Sequence, residues 1–156
     1  MEKDPKTTFK RLRAAADASE DAVSLRGHHL YDPEEEILFV SFPKGFHLET
    51  RSQVEKGFDR ALQVWRSECG GRRVYFVVDY TNFSLNLNLN DFYVQQVKRV
   101  LNECAVTIVR FGGDPLARTG ARLRSMRLHM PSHLYDSREE AIAVVRALRQ
   151  GRMEIA

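Results

Sequence analysis

Between Arg110 and Met130 lie five arginines and a single acid, Asp114. Three of those arginines are spaced for anion chemistry. Arg118 and Arg122 are four residues apart, which on a helix puts them on one face. Arg110 comes just before Gly112-Gly113-Asp114-Pro115, a loop, N-cap and proline that together start a helix. Guanidinium forks pair bidentately with phosphates and carboxylates. Arg110, Arg118 and Arg122 are therefore candidates for a small anion: phosphate, a nucleotide or the phosphate of CoA. Asp114 as N-cap would occupy the free helix N–H groups and repel an anion, so contact is expected through the guanidiniums. The competing reading is a solvated basic face balanced by the acidic run Asp32, Glu34, Glu35 and Glu36. The glycines make no P-loop, because G-x-x-x-x-G-K-[ST] is absent.

The stretch Thr81–Asp91, TNFSLNLNLND, alternates Asn with Leu and Phe. Asparagine offers donors and acceptors without charge, and three exposed leucines would be poor loop residues unless something covers them. Asp79, Thr81, Asn82, Ser84, Asn86, Asn88 and Asn90 are accordingly the candidate recognition loop, at the sheet edge where ligands of open α/β sheets bind. The competing reading is an asparagine-rich turn, since Asn tolerates left-handed backbone and caps helices. Asp79, at a strand end, suits hydrogen bonding to the following turn; one carboxylate is not an acid–base pair.

No catalytic constellation stands out. His129 and His133 are close in sequence but separated by Pro131, while His28 and His29 point to opposite faces of a strand. No cysteine joins them at metal-ligand spacing. Cys69 and Cys104 read as small buried hydrophobes. The expectation is a non-catalytic chain with no cofactor and no metal.

The elements that would position these residues follow from periodicity. Residues 1–21 form a polar arm in which Phe9, Leu12 and Ala16 suit a short amphipathic helix. Residues 22–150 form the domain. Ala22–Leu30 and Glu36–Phe42 read as a hairpin around Tyr31-Asp32-Pro33. Thr50 and Gln53 fit a capping box before a helix whose apolar face is Val54, Phe58, Ala61, Leu62 and Trp65. Gly70-Gly71 ends it. Arg73–Tyr80 is an unbroken apolar run suited to a central strand. Asn90 or Asp91 is expected to cap the next helix, with Tyr93, Val94, Val97, Val100, Leu101 and Cys104 as its buried stripe. Val106–Phe111 is a second interior strand, parallel to the first. A helix follows to about Met126, then a short edge strand at His133–Tyr135. Ser137 and Glu140 suggest a second capping box, before a helix lined by Ala141, Ile142, Val145 and Leu148. The fold class is α/β: a mixed, largely parallel sheet with an N-terminal hairpin and helices mainly on one face.

The chain has 156 residues, which suits one domain with a full core. Its net charge of +3 is milder than the footprint of a dedicated nucleic-acid binder. No apolar run approaches the length of a membrane span, and no secretory apolar segment opens the chain. A cytoplasmic location is the expectation, and two cysteines without an export signal agree with it.

The element order, with VYFVVDYTNF (Val74–Phe83), NDFYVQQVKRVL and VTIVRF, resembles the STAS domain, the fold of bacterial anti-sigma-factor antagonists. SHLYDSREEAIAVV (Ser132–Val145) is similar to the closing strand and helix of its SpoIIAA-like branch. The resemblance implies a regulatory protein-interaction module, with a protein partner, a homodimer being one form. It also implies a phosphorylated serine or threonine at the start of the helix after the central strand. Asparagines stand there instead, leaving Thr81 and Ser84 as acceptors. DYTNFSLNLNLNDFYVQQV, TIVRFGGDPLARTGARLRSM and PSHLYDSREEA also look like the C-terminal segment of acyl-CoA:acetate/3-ketoacid CoA-transferases. That similarity implies an accessory module binding acyl-CoA or a nucleotide.

Overall fold

The computed structural model describes residues 27–152. The arm expected over 1–21, and the first residues of the strand expected from Ala22, lie outside the described residues. Strands β1 (His28–Asp32) and β2 (Ile37–Ser41) form an antiparallel hairpin. Its bend is held by Asp32, whose Oδ1 accepts from the N–H groups of Glu34 at 3.1 Å and Glu35 at 3.2 Å. The first strand therefore runs through Tyr31 and Asp32, and the turn begins at Pro33. Helix α1 (Arg51–Glu68) follows, then β3 (Val74–Asp79), α2 (Asn90–Glu103), β4 (Ala105–Phe111), α3 (Pro115–Arg127), the edge strand β5 (Leu134–Tyr135) and α4 (Arg138–Arg149). One 3-10 turn, Leu87–Leu89, precedes α2.

The sheet order is β1-β2-β3-β4-β5, and β2 to β5 are parallel. Each crossover advances one strand in the same direction. With a common handedness, α1, α2 and α3 must land on the same side of the sheet. Side-chain alternation along the strands then divides the core in two. Leu38, Val40, Phe76, Val78 and Ile108 pack under those three helices. Ile37, Tyr75, Val77 and Val109 meet Ala141, Val145 and Leu148 of α4 on the other face. β3 is thus covered on both sides, which is why Val74–Val78 is apolar without alternation.

The helix starts follow local chemistry with two exceptions. Thr50 Oγ1 accepts from the Gln53 N–H, and Gln53 Oε1 accepts from the Thr50 N–H, both at 3.2 Å. Asp114 Oδ1 accepts from the Ala117 N–H at 2.8 Å, with Pro115 in the first turn. At α4 the expected box is half formed. Ser137 accepts from the Glu140 N–H, but Glu140 accepts from the N–H of Asp136 rather than Ser137. Neither Asn90 nor Asp91 caps α2. The 3-10 turn runs straight into that helix, so the first helical amides find backbone acceptors, and the side-chain cap moves back to Asn86, which accepts from the Asn88 N–H at 3.0 Å.

Candidate functional site

The three candidate arginines do not converge. Arg110 is only 3% exposed. Its Nε donates to the Tyr80 hydroxyl at 3.3 Å and its Nη1 to the Ser132 carbonyl at 3.0 Å. Arg118 donates to the carbonyls of Gly112 and Tyr135 and to Asp136, clamping the loop before α3 onto β5. Arg122 is exposed. Helical side chains lean toward the N-terminus. Arg118, in the first turn, reaches back over the loop, whereas Arg122 has only its own helix behind it. Spacing placed the pair on one face, but it could not give them a common target.

The arginine that occupies the site is Arg124, which the spacing argument missed. It is 3% exposed. Its Nη1 donates to Asn90 Oδ1 at 3.1 Å, and its guanidinium lies 5.0 Å from the Tyr93 ring centroid and 5.6 Å from that of Phe83. Among the described residues, Nη2 is buried without a hydrogen-bond partner. Gly120 provides the room: a Cβ there would stand 2.9 Å from Nη1. The available signal was this glycine, costly inside a helix and four residues before an arginine. Tyr80 lies in the same buried cluster. Burial alone would raise its phenol, but Arg110 and Arg124 reverse the balance and bring it below its ordinary value. Burial, reinforced by Tyr80, raises the Tyr93 phenol.

Most of the asparagine loop anchors itself. Asp79 Oδ1 accepts from the Thr81 N–H at 2.9 Å and from its hydroxyl at 2.5 Å. Asn82 donates to the Phe42 carbonyl, and Asn86 to Glu49 Oε1. Ser84 Oγ is 2.7 Å from Nδ1 of His47, whose Nε2 is 2.6 Å from Glu49. Leu85 bridges to Leu48 in parallel. Asn88 is exposed, and Asn90 is held by Arg124. Of the three leucines expected to be exposed, Leu85 and Leu89 pack against the core, and only Leu87 stands out, at 59%. Thr81 and Ser84 both precede the capped turn, away from the start of α2.

Helix α3 is inverted relative to an ordinary surface helix. Its buried residues are Gly120, Ala121, Arg124 and Ser125, while Leu116 is 66% exposed and Met126 70%, with Leu123 exposed beside them. Helical spacing places those three on one side. Leu87 and Leu116 flank a recess of about 50 Å³ between the loop and α3, with Gly120 and Arg124 also lining it. The helix carries no acid; Arg127 pairs with Asp91 of α2, and Arg122 is exposed. Among the described residues the strands follow chain order, so the sheet has no topological reversal point of the kind that usually opens a crevice.

Among the described residues, no three His, Cys, Asp or Glu side chains gather to hold a metal. Cys69 and Cys104 are buried and free, and burial pushes the Cys104 thiol up to about 12, away from a reactive thiolate. No helix among the described residues is long and apolar enough to cross a membrane. No protein-family model matches the chain, and no curated protein matches it.

Proposed function

We propose that the chain is a non-catalytic, STAS-like regulatory domain that binds a partner protein through α3 and the Leu87 turn. The inversion of α3 carries this reading. Among the described residues five large apolar side chains are exposed: Leu30 on the edge strand, and Leu87, Leu116, Leu123 and Met126 on this one face. Clustered exposed apolar residues mark interaction surfaces. The charge around them selects the occupant. Arg118 and Arg127 are already paired with Asp136 and Asp91, which leaves Arg122 as the exposed cation of a helix without acids, suited to a partner segment that presents apolar side chains beside a carboxylate. Arg124 lines the recess beneath these side chains, so a carboxylate entering it would approach that guanidinium. The chain order of the sheet, and the loop joining β3 to α2, support the STAS-like assignment.

The test places a photo-crosslinking residue at Leu87, with crosslinks mapped by mass spectrometry in lysate of the source cells. The expected result is one partner whose crosslinked segment is amphipathic and acidic, lost when Leu116→Asp and Leu123→Asp are combined. Capture unaffected by that pair, a basic segment, or a crosslink to a second copy of this chain would overturn the reading.

A further inference from the structure

A second site lies on the other side of the same helical layer, beneath α1. Register aligns His29 of β1 with Val40 of β2, Val40 with Val78 of β3, and Val78 with Arg110 of β4. All four lie in one row across the sheet. At about 4.8 Å per strand, the row spans roughly 14 Å. A cavity of about 90 Å³ covers it, walled by apolar side chains and touching both ends of the row. Gly57 and Ala61 of α1, both partly exposed, line its side toward the surface.

Three features do not suit a site that exists only for packing. Native interiors close to organic-crystal density, and voids much larger than a water are few. Gly57 sits inside α1, where glycine is less favourable than alanine, yet a Cβ there would meet nothing within 4 Å. No crowding requires the glycine, and its lack of a side chain leaves that flank of the cavity open. The end of the row at β4 is a buried guanidinium whose hydrogen bonds go to a phenol and a carbonyl. Arg124 lies by the same tyrosines, and among the described residues neither arginine meets a carboxylate. Buried charges are ordinarily paired.

We propose that this cavity binds a short-chain aliphatic monocarboxylate, its carboxylate on Arg110 and the Tyr80 hydroxyl and its chain over Val78 and Val40. Apolar walls exclude phosphate and nucleotides, which would leave most of their oxygens unpaired. The volume limits the ligand: an apolar cavity of about 150 Å³ holds benzene, so this one takes a chain of a few methylenes. Affinity should rise about four-fold for each methylene added until the cavity is full.

Calorimetric titration of the full chain with butyrate, pentanoate and hexanoate, against 1-pentanol as the neutral counterpart, tests this. Pentanoate should bind at least about ten-fold more tightly than pentanol, a difference of one charge-assisted contact. Arg110→Met should erase that preference. Gly57→Leu, which fills open space and leaves the core intact, should abolish binding of both compounds while the circular dichroism spectrum is unchanged; it carries the test should Arg110→Met fail to fold. Equal binding of acid and alcohol, absence of saturable binding to any of the acids, or unchanged affinity in Gly57→Leu would overturn the proposal. None of these outcomes touches the α3 face, whose partner is scored separately.

Discussion

Asn90 Oδ1 accepts from Arg124 Nη1 at 3.1 Å, joining the first residue of α2 to the buried side of α3. The last asparagine of the loop therefore has a defined task. It accepts from a buried guanidinium that also packs against the Tyr93 and Phe83 rings.

Asn90→Leu should consequently destabilise the fold by about 1.5–3 kcal/mol, the range for a hydrogen bond to a charged group. In urea unfolding the midpoint should fall with an unchanged slope. Arg124→Met, which removes the charge and keeps much of the volume, should cost less than Asn90→Leu, because nothing charged is then left unpaired. A larger loss in Arg124→Met would mean that the ring contacts with Phe83 and Tyr93 dominate.

The hairpin bend is tied to α4 by Glu35. Arg146 donates to both of its carboxylate oxygens, and Arg149 donates to Oε2 at 2.9 Å and to the Glu35 carbonyl. The hydrogen bonds from Arg146 and then Arg149 hold the Glu35 carboxyl down at about 2, against an ordinary 4.5. A depressed acid stabilises the fold above its unfolded value and loses that contribution as pH falls through its folded one. Wild type should therefore exceed Glu35→Gln in melting temperature above about pH 4.5, and the gap should close toward pH 2. A gap independent of pH over that window would refute the assignment.

His29 acts in a separate and higher window. Burial, then the charge of Arg60, lowers its pKa from 6.5 to about 4. The folded state thus binds the proton less readily than the unfolded one. Stability is complete above about pH 6.5 and declines as pH falls toward 4. His29→Leu should flatten that decline and leave the Glu35 window untouched, which melting curves at half-unit pH steps would resolve. A decline of equal size in His29→Leu would assign it to other groups.

How far these features could be read beforehand depends on sequence distance. Thr50 with Gln53, and Asp114 with Ala117, find their partners within three residues, so their chemistry is visible in a short window. The continuous run Val74–Val78 announces a strand covered on both faces for the same reason. Arg110 was legible as a cation but not as a buried one, because its partners Tyr80 and Ser132 lie 30 and 22 residues away. The Leu-Asn alternation predicts three exposed leucines, yet Leu85 is turned inward by its bridge to Leu48, 37 positions earlier. In α3 the hydrophobic pattern misleads outright. The side facing the core consists of Gly120, Ala121, Arg124 and Ser125, and an inward arginine beneath a glycine has no signature in periodicity.

Gly120 offers the sharpest test of that inversion. Glycine to alanine inside a helix ordinarily stabilises by about 0.5–1 kcal/mol, because the unfolded chain loses freedom and the helix gains a better former. At Gly120 the backbone is helical, so no unusual conformation opposes the change. The new Cβ would instead lie 2.9 Å from Arg124 Nη1, closer than side chains tolerate. A guanidinium at the end of a long side chain could normally swing aside at little cost. Here it is hydrogen-bonded to Asn90 and packed near Tyr93 and Phe83, so moving it breaks the bond and disturbs both rings. Gly120→Ala should therefore destabilise by about 1 kcal/mol, a reversal of the usual sign. In an Arg124→Met background the obstructing nitrogen is gone, and the same change should become neutral or stabilising. A double-mutant cycle in urea measures this coupling directly. Additive effects at the two positions would show that Arg124 does not depend on the space Gly120 leaves.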